Sequence, residues 1–526
     1  MNIKSILFLL LSCCGIARAQ RETVPSFSST LTDSLHYNVE MQGSFADGKT
    51  PLWLNANKQG LSSLDNANGY LRASLAKPML NDSRQHWELA YGVDLVVPAG
   101  YTSDFVIHQA YAQIRWHHGV LTVGSKENHL SLKNDLLSSG SQTLGINARP
   151  VPQVRLALPD YWTLPFGNGW LHLKGHIAYG KMTDEGWQHD FTGKASDYAD
   201  GVLYHSKAGF FKIGNEERYM PFSVEMGLEM AAVYGGKAYL RQPDGTFIVS
   251  DGKGGLKGMW DAFFPGGADT GETTYKNVSG NQLGSWMLRF NWKEETWRFG
   301  FYVDKFFEDH SGMFMLDYNG YGEGEEWMTR KDRRYFMYNF KDWMLGAELN
   351  FTRNRWITDV VLEYLYTKYQ SGPIYHDHTI NIADHVAGRD NYYNHYIYPG
   401  WQHWGQVIGN PLYRSPIYND DGVIEVKNNR TSAVHLGIAG RPYDNFNYRF
   451  LVSCQDGLGS YFRPYTKKHH NVSLMLETCY RFTGKTLRGC LLKVAGGLDT
   501  GKILGHNYGF QITFSKTGLL GRLPRE

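Results

Sequence analysis

The feature that most constrains the fold is the alternation of residue types in the stretch WITDVVLEYLYT, which begins at Trp356. Successive side chains of an extended strand point to opposite faces, so a period of two sorts these residues into two stripes. The apolar stripe holds Trp356, Val360, Leu362, Tyr364 and Tyr366, and the polar stripe holds Asp359, Glu363 and Thr367. Such a strand lies between an apolar and a polar solvent, with aromatic residues near its ends.

The same alternation recurs along the chain, and many of the apolar stripes begin or end in Trp, Tyr or Phe. Further stretches of this kind are Trp87 to Val97, Trp286 to Trp292, Trp297 to Val303, Trp343 to Phe351, Val472 to Phe482 and the closing strand Tyr508 to Phe514. A soluble β-sandwich also alternates, but it explains the aromatic ends less well. The pattern therefore predicts an all-β protein, a transmembrane antiparallel β-barrel with long extracellular loops and roughly 14 to 20 strands.

The N-terminus predicts export. Lys4 precedes an apolar run from Ile6 to Leu11, and Ala17-Arg18-Ala19 supplies a cleavage site before Gln20. This arrangement is typical of a signal peptide, so residues 1–19 are the expected leader and residues 20–526 the expected barrel domain of the cell outer membrane. An alternative is that the stretch ending at Cys13 is a lipoprotein box.

Composition supports the barrel and excludes several other classes of protein. The chain contains 34 Tyr, 27 Phe, 15 Trp and 58 Gly in 526 residues, which suits aromatic girdles and turns. Beyond the leader no run of about 18 apolar residues remains, so no transmembrane helix is expected. The net charge of +2 argues against a nucleic-acid partner. Three cysteines remain after the leader, and an odd number without a CxxC motif predicts neither a disulfide framework nor a zinc site.

Turn lengths orient the predicted barrel, because outer-membrane barrels use short periplasmic turns and longer extracellular loops. Short turns are predicted at His117 to Gly119, Lys293 to Thr296, Thr352 to Arg355 and Thr483 to Lys485. The strand after Arg355 then rises outward. Three long segments are therefore expected at the extracellular mouth: Gly235 to Gly284, Asp304 to Asp342 and Tyr366 to Gly422.

Several separated segments resemble the Wzi-type capsule assembly family, in the branch found in Bacteroidetes-like bacteria. They are Leu52-Trp53-Leu54-Asn55-Ala56-Asn57, Gln109-Ala110-Tyr111-Ala112-Gln113, Asn147-Ala148-Arg149-Pro150-Val151-Pro152, Phe307-Glu308-Asp309-His310-Ser311-Gly312, Glu363-Tyr364 with Gln370-Ser371-Gly372-Pro373, and Asp390-Asn391-Tyr392-Tyr393-Asn394. The resemblance implies an outer-membrane barrel of about 18 strands, occluded by its loops, that acts as a lectin anchoring capsular polysaccharide. One departure is that residues 20–36 offer too few residues for the family's periplasmic helical bundle.

The segment from Gln370 to Tyr413 is the predicted carbohydrate-binding surface. Sugar rings present apolar C–H faces and hydroxyl edges, so their recognition needs aromatic rings beside planar polar groups. The candidate residues are Glu363, Gln370, Asp390, Asn391, Tyr392, Tyr393, Asn394, Trp401, Gln402 and Trp404, of which Tyr392, Tyr393, Trp401 and Trp404 would be the stacking platforms. The alternative is that these aromatic residues pack the loops into a plug over the barrel mouth.

Other chemistry is less well supported by the sequence. His376-Asp377-His378 lacks a third ligand at a diagnostic spacing, so no metal site and no cofactor are expected. Glu363 and Asp359 share a strand face and could form a glycosidase pair, although paired acids are ordinary in a polar lumen. We therefore expect a monomeric non-enzyme whose partners are capsular or surface polysaccharide and outer-membrane lipid. A diffusion channel and a glycan or lipid hydrolase are the alternatives.

Overall fold

The computed structural model describes residues 34–79, 87–215, 220–264, 280–308, 320–321, 325, 329–331, 341–370, 375–376, 385–386 and 391–520. The predicted leader lies outside these residues. In the part described, 18 antiparallel strands form one closed sheet, in which β1 pairs with β18 as well as with β2. The prediction of an all-β transmembrane-type barrel of about 18 strands is confirmed.

The barrel strands are β1 (Leu35–Asp47), β2 (Ala67–Lys77), β3 (Trp87–Ala99), β4 (Val106–Trp116), β5 (Gly119–Ser125), β6 (Gln153–Thr163), β7 (Leu171–Lys181), β8 (Leu203–Ile213), β9 (Phe222–Tyr234), β10 (Asn281–Lys293), β11 (Trp297–Glu308), β12 (Trp343–Phe351), β13 (Asp359–Tyr366), β14 (Thr431–Tyr443), β15 (Phe446–Gly459), β16 (Pro464–Arg481), β17 (Cys490–Gly501) and β18 (Asn507–Leu520). Shorter strands outside the barrel wall are Tyr198–Asp200, Lys237–Arg241, Phe247–Asp251, Gly320–Tyr321, Arg330–Lys331, Tyr375–His376, His385–Val386, Gln402–His403 and Gln406–Val407.

The helices in the described part of the chain are short. They are α1 (Leu52–Asn55), α2 (Glu185–Thr192), α3 (Gly255–Phe263) and one 3-10 turn (Pro416–Tyr418). Among the helices described, none combines the length and the apolar character that crossing a bilayer requires.

The predicted alternation sets which side of the wall each residue faces. In β3, Leu89, Val93 and Val97 point outward and are 40%, 47% and 56% exposed, whereas the intervening Asp94 is 2% exposed and points into the lumen. In β13, Leu362 and Tyr364 face outward and Glu363 faces the lumen. Apolar side chains on the outside and polar ones within are the arrangement that a barrel in lipid requires.

Aromatic residues flank the apolar belt at both ends of the barrel. Trp87 and Trp116 lie side by side where β3 begins and β4 ends, with ring centroids 6.0 Å apart. At the other end Phe45 and Phe510 meet across the closing pair of strands, with centroids 5.5 Å apart. These positions correspond to the two interfacial girdles of a membrane barrel.

The two ends of the barrel differ in the length of their connections. The predicted short turns all lie at one end, the short-turn end, where β1 also begins and β18 ends. The opposite, long-loop end carries the longest connections, including residues 126–152, 235–280 and 367–430. By the usual asymmetry of outer-membrane barrels, the long-loop end corresponds to the outside.

The lumen is filled by parts of three connections, residues 48–66, 126–152 and 391–430, which we call the plug. In the first, the Leu52 amide donates to the inward-facing Asp499 at 3.0 Å, and the Trp53 ring lies 4.8 Å from that of His435. In the third, the Leu412 carbonyl accepts from the inward-facing Gln455 amide at 2.6 Å. The plug joins the wall through hydrogen bonds because buried polar wall residues need partners.

The plug corrects one expectation about the outer segments. The stretch from Tyr366 to Gly422 leaves the barrel at the long-loop end as expected, but its described part from Asn391 onward turns back into the lumen.

The closing strand also differs from the prediction, because β18 continues beyond Phe514 to Leu520. Its last six residues pair with the first six of β1, so the ladder is longer than the aromatic pattern indicates.

Candidate functional site

Glu363 lies inside the lumen and anchors the plug. Its carboxylate accepts hydrogen bonds from the Ser138 hydroxyl at 2.5 Å, the Ser139 amide at 2.8 Å and the Tyr302 hydroxyl. Its side chain is buried. Asp359, the other acid of the alternative glycosidase pair, accepts from Asn350 and Thr358, both at 2.6 Å. Both carboxylates are thus engaged by structural donors.

Gln370 and Tyr392 link the third plug segment to the wall. The Gln370 side chain donates to the Asn429 carbonyl at 2.7 Å and accepts from the Tyr392 amide at 3.3 Å. The Tyr392 hydroxyl donates to Asp342 at 3.0 Å. Both residues are buried, so their polar groups serve the packing of the plug.

Tyr393 and Trp401 are also fully buried. The Tyr393 hydroxyl donates to the Gln142 carbonyl, and its amide donates to Glu308 at 2.5 Å. The Trp401 indole donates to the Thr143 carbonyl at 3.2 Å. These two rings therefore join the second and third plug segments and offer no face to solvent.

Asn391 and Asn394 are partly exposed and brace a turn. The Asn394 side-chain amide donates to Asn391 at 3.1 Å and to the Val426 carbonyl at 2.9 Å, and its oxygen accepts from the Val426 amide at 2.8 Å. Asn391 also accepts from Asn429 at 2.6 Å. Asp390 lies outside the described residues.

Trp404 stands at the tip of a small hairpin in which Gln402 pairs with Val407 and His403 with Gln406. Trp404 and Gly405 form the two-residue turn with φ angles of 56° and 82°. Positive φ at both central residues defines a type I′ turn, which favours Asn, Asp or Gly. A bulky Trp in the left-handed region is strained, and such strain concentrates at functional positions.

Arg149 covers one face of the partly exposed Trp404 ring, with its guanidinium carbon 4.4 Å from the ring centroid. The same guanidinium donates to Ser103 at 3.2 Å and Thr102 at 3.1 Å, and the Trp404 indole donates to the Thr183 hydroxyl at 3.3 Å. Burial lowers the pKa of Arg149 to about 10, which still leaves it charged at neutral pH. We call these five residues the Trp404 cluster.

Buried groups hold the hairpin in place. Asp184 accepts from the Gln402 side chain at 2.8 Å, and Gln402 in turn accepts from the Gly405 amide at 2.7 Å. Burial lowers the pKa of His403. In its neutral form His403 accepts from the Thr183 amide at 3.2 Å on Nε2 and donates to the Arg149 carbonyl at 2.8 Å from Nδ1.

The structure thus divides the predicted site residues. Six of them, Glu363, Gln370, Tyr392, Tyr393, Trp401 and Gln402, are buried in or against the plug, while Asn391, Asn394 and Trp404 are partly exposed. The buried aromatic residues lie in the environment that the alternative interpretation gave them, in which they pack the loops into a plug. Arg149, Thr183 and Asp184 are not among the predicted site residues. Only the position of Arg149 inside a resemblance segment could have pointed to it.

One group of possible metal ligands occurs in the described part of the chain, formed by Asp94, His108 and Glu127. The Arg72 guanidinium already lies among them and donates to Asp94 at 3.0 Å and to Glu127 at 3.1 Å. The His108 ring lies 2.7 Å from Glu127. The Arg72 guanidinium therefore supplies the positive charge that a metal ion would bring, and the group is an ion-pair network inside the lumen.

The fold and the filled lumen define a class, that of 18-stranded outer-membrane β-barrels closed by their own loops. Wzi of Escherichia coli, described as a carbohydrate-binding β-barrel involved in group 1 capsule assembly, is similar over 95% of this chain and 90% of its own, with 12% identity and a TM-score of 0.53. OprD of Pseudomonas aeruginosa matches over 93% of this chain and 96% of its own, with 9% identity and a TM-score of 0.43.

These similarities concern the fold alone, because the sequence identities are low. No family model matches the chain. No curated protein matches it either.

Proposed function

We propose that this protein is an outer-membrane barrel that binds and anchors capsular or surface polysaccharide at its long-loop end, and so supports capsule assembly. The observation that carries the proposal is the combination of a lumen filled by the plug with an aromatic and polar cluster around Trp404 at that end. A barrel whose lumen is filled and whose outer end carries the Trp404 cluster suits binding at the surface better than passage through the lumen.

The plug argues against a simple diffusion channel. A channel needs a water-filled path, whereas here plug segments cross the lumen and bind the inward-facing wall through buried hydrogen bonds. The Ser139 amide donates to Glu363, and His435 donates to the Leu137 carbonyl, at 2.8 Å each. These bonds join the connection between β5 and β6 to β13 and β14 on the opposite side of the barrel. Opening the lumen would require breaking many such contacts together.

The chemistry of the Trp404 cluster suits a sugar. The partly exposed indole offers an apolar surface for C–H groups, and Arg149, Thr102, Ser103 and Thr183 supply donors and acceptors beside it. The guanidinium also adds a positive charge for acidic sugars. The strained φ of Trp404 supports a functional reason for Trp at this turn position.

The remaining candidate residues take different roles in this proposal. Asn391 and Asn394, and Asp390 beside them, would contact glycan together with Trp404, whereas the buried candidates hold the loops that present these groups. Wzi of Escherichia coli is described as carbohydrate-binding, and the sequence segments that resemble its family add to this support.

The proposal is tested in cells that carry Trp404→Ala. Trp356→Ala is the matched control, because Trp356 is 66% exposed at the short-turn end. We expect Trp404→Ala cells to release polysaccharide into the medium while the protein still fractionates with the outer membrane and shifts on gels when boiled. Equal retention by both variants would contradict the Trp404 site. A steady, unselective conductance of the parent in planar bilayers would instead support the channel.

A further inference from the structure

A cavity lies in the lumen, away from the Trp404 cluster. It has a volume of about 460 Å³ and is lined by the inward faces of β4 to β7 and by plug residues 126–131. Pro78 and Met79, which follow β2 at the short-turn end, form part of its lining. The volume falls within the range of small-molecule sites, and the cavity reaches the end of the barrel opposite to the proposed polysaccharide surface.

Three cations line this cavity beside neutral partners. Lys126 donates to the Gln113 side chain at 2.8 Å, and Arg155 donates to the Asn128 side chain at 2.8 Å. Lys174 lies over the Tyr161 ring, 4.7 Å from its centroid. Burial, followed by the nearby Arg155, lowers the pKa of Lys126. Removing cations from bulk water without a paired carboxylate is unfavourable unless an anion accompanies them.

Two of the carboxylates near the cavity have other hydrogen-bond partners, whereas Glu229 and Asp160 act on Lys174 through their charge alone. Glu127 binds Arg72 at 3.1 Å, and Glu225 accepts from the Tyr161 hydroxyl at 2.6 Å. Asp160 is exposed near the short-turn end of β6, and Glu229 lines a smaller cavity beyond the plug residues. A fourth cation, Arg115, already pairs with Glu88 at 3.5 Å. In the described lining, positive charge therefore exceeds the negative charge that faces it.

The cavity also offers a hydrogen-bond acceptor. The Gln153 side-chain oxygen is buried, has no protein donor among the residues described, and lines the cavity beside Arg155. Buried acceptors are normally satisfied, so this oxygen calls for a donor from a bound molecule or water. A ligand that suits the whole lining carries both a negative charge for the cations and a hydroxyl group for Gln153.

We propose that this cavity is a binding site for a compact hydroxylated anion, a sugar carrying a carboxylate or a phosphate group, that enters from the short-turn end. Lys126, Arg155 and Lys174 bind the anionic group, and Gln153 accepts from a hydroxyl. This site is independent of the proposed function at Trp404. Its ligand would approach from the opposite side of the membrane.

The test uses the full-length protein purified in detergent and titrated by calorimetry with glucuronate, glucose 6-phosphate and glucose. We expect at least one anion to bind about tenfold or more tightly than glucose, because hydrogen bonds to charged groups are the stronger ones. Tighter binding of glucuronate assigns the site to acidic sugars, and tighter binding of glucose 6-phosphate to phosphate-bearing ones. Failure of both anions to bind, or equal binding of glucose, overturns the proposal.

Lys126→Gln and Lys174→Gln supply the variants, with Lys237→Gln as the matched control at an exposed position of the long-loop end. Each cavity variant should weaken anion binding about tenfold, and the control should leave it unchanged. Because Lys126 has no paired carboxylate among the residues that the structure describes, its replacement should not lower the melting temperature. In the parent, added salt should also weaken binding. Unchanged affinity in both cavity variants, or salt-independent binding in the parent, contradicts the site.

Discussion

Glu363→Gln should loosen the plug while leaving the barrel closed. The two carboxylate oxygens serve different donors: one accepts from the Ser138 and Tyr302 hydroxyls, and the other from the Ser139 amide. A carboxamide has only one acceptor oxygen, so its NH2 group must face one of these donors. The wall is unaffected, because the backbone ladders of β13 with β12 and β14 do not involve the side chain.

The size of the effect follows from the lost contacts. A hydrogen bond to a charged group contributes about 1.5–3 kcal/mol, and a buried donor left unsatisfied costs about 1–3 kcal/mol. Together they lower the free energy of local plug opening by about 2–5 kcal/mol, since such terms do not add fully. At about 1.4 kcal/mol per factor of ten, amide exchange in residues 138–143 should become roughly 30-fold to a few thousandfold faster.

Hydrogen exchange followed by mass spectrometry measures this opening, and gel mobility before and after boiling reports the integrity of the barrel. Asp359→Asn is the matched control, because Asp359 lies on the same strand and the same face but bonds only to Asn350 and Thr358 among the contacts found. Parent-like exchange of residues 138–143 in Glu363→Gln, or equal acceleration in the control, would refute the anchoring role.

Three further outcomes follow from the structure. Burial lowers the pKa of His403, so the unfolded hairpin takes up a proton more readily than the native one. The stability of the hairpin, measured by hydrogen exchange, should therefore fall as the pH drops below about 6.5, and His403→Gln should abolish that pH dependence. Trp404→Asn should relieve the strained turn and stabilise the hairpin by about 1 kcal/mol while weakening polysaccharide retention, so a lower hairpin stability would count against the strain. Removing residues 521–526 should leave the heat-modifiable gel band intact, whereas removing 515–526 deletes the partners of Leu35–Glu40 and should abolish it.

The barrel was predictable because its physical cause is local. Lipid on one side and a polar lumen on the other impose a period of two, which is visible at Leu362, Glu363 and Tyr364 without knowledge of the fold. The loop lengths also fixed which end carries the long connections. The additional pairing of β18 up to Leu520 could not be read in the same way, because Lys516 and Gly518 interrupt the apolar stripe.

The plug was harder to predict, because burial of a polar aromatic segment depends on distant partners. Trp401 and Trp404 stand three residues apart among similar neighbours, yet one bonds to Thr143 inside the lumen and the other lies under Arg149 near the surface. The hydrogen-bond partners Thr143 of Trp401 and Thr183 of Trp404 lie 258 and 221 positions away in the chain. Residue type alone therefore indicated a carbohydrate surface and a plug equally well.

Equilibrium binding of isolated native surface polysaccharide to the purified parent protein tests whether this closed barrel binds polysaccharide through its long-loop end. We expect saturable binding by the parent and by Trp356→Ala, and binding at least about tenfold weaker in Trp404→Ala, because the loss of a stacked aromatic and its hydrogen bonds is worth about 1.4 kcal/mol or more. Absence of binding by the folded parent, or unchanged affinity in Trp404→Ala, would contradict it.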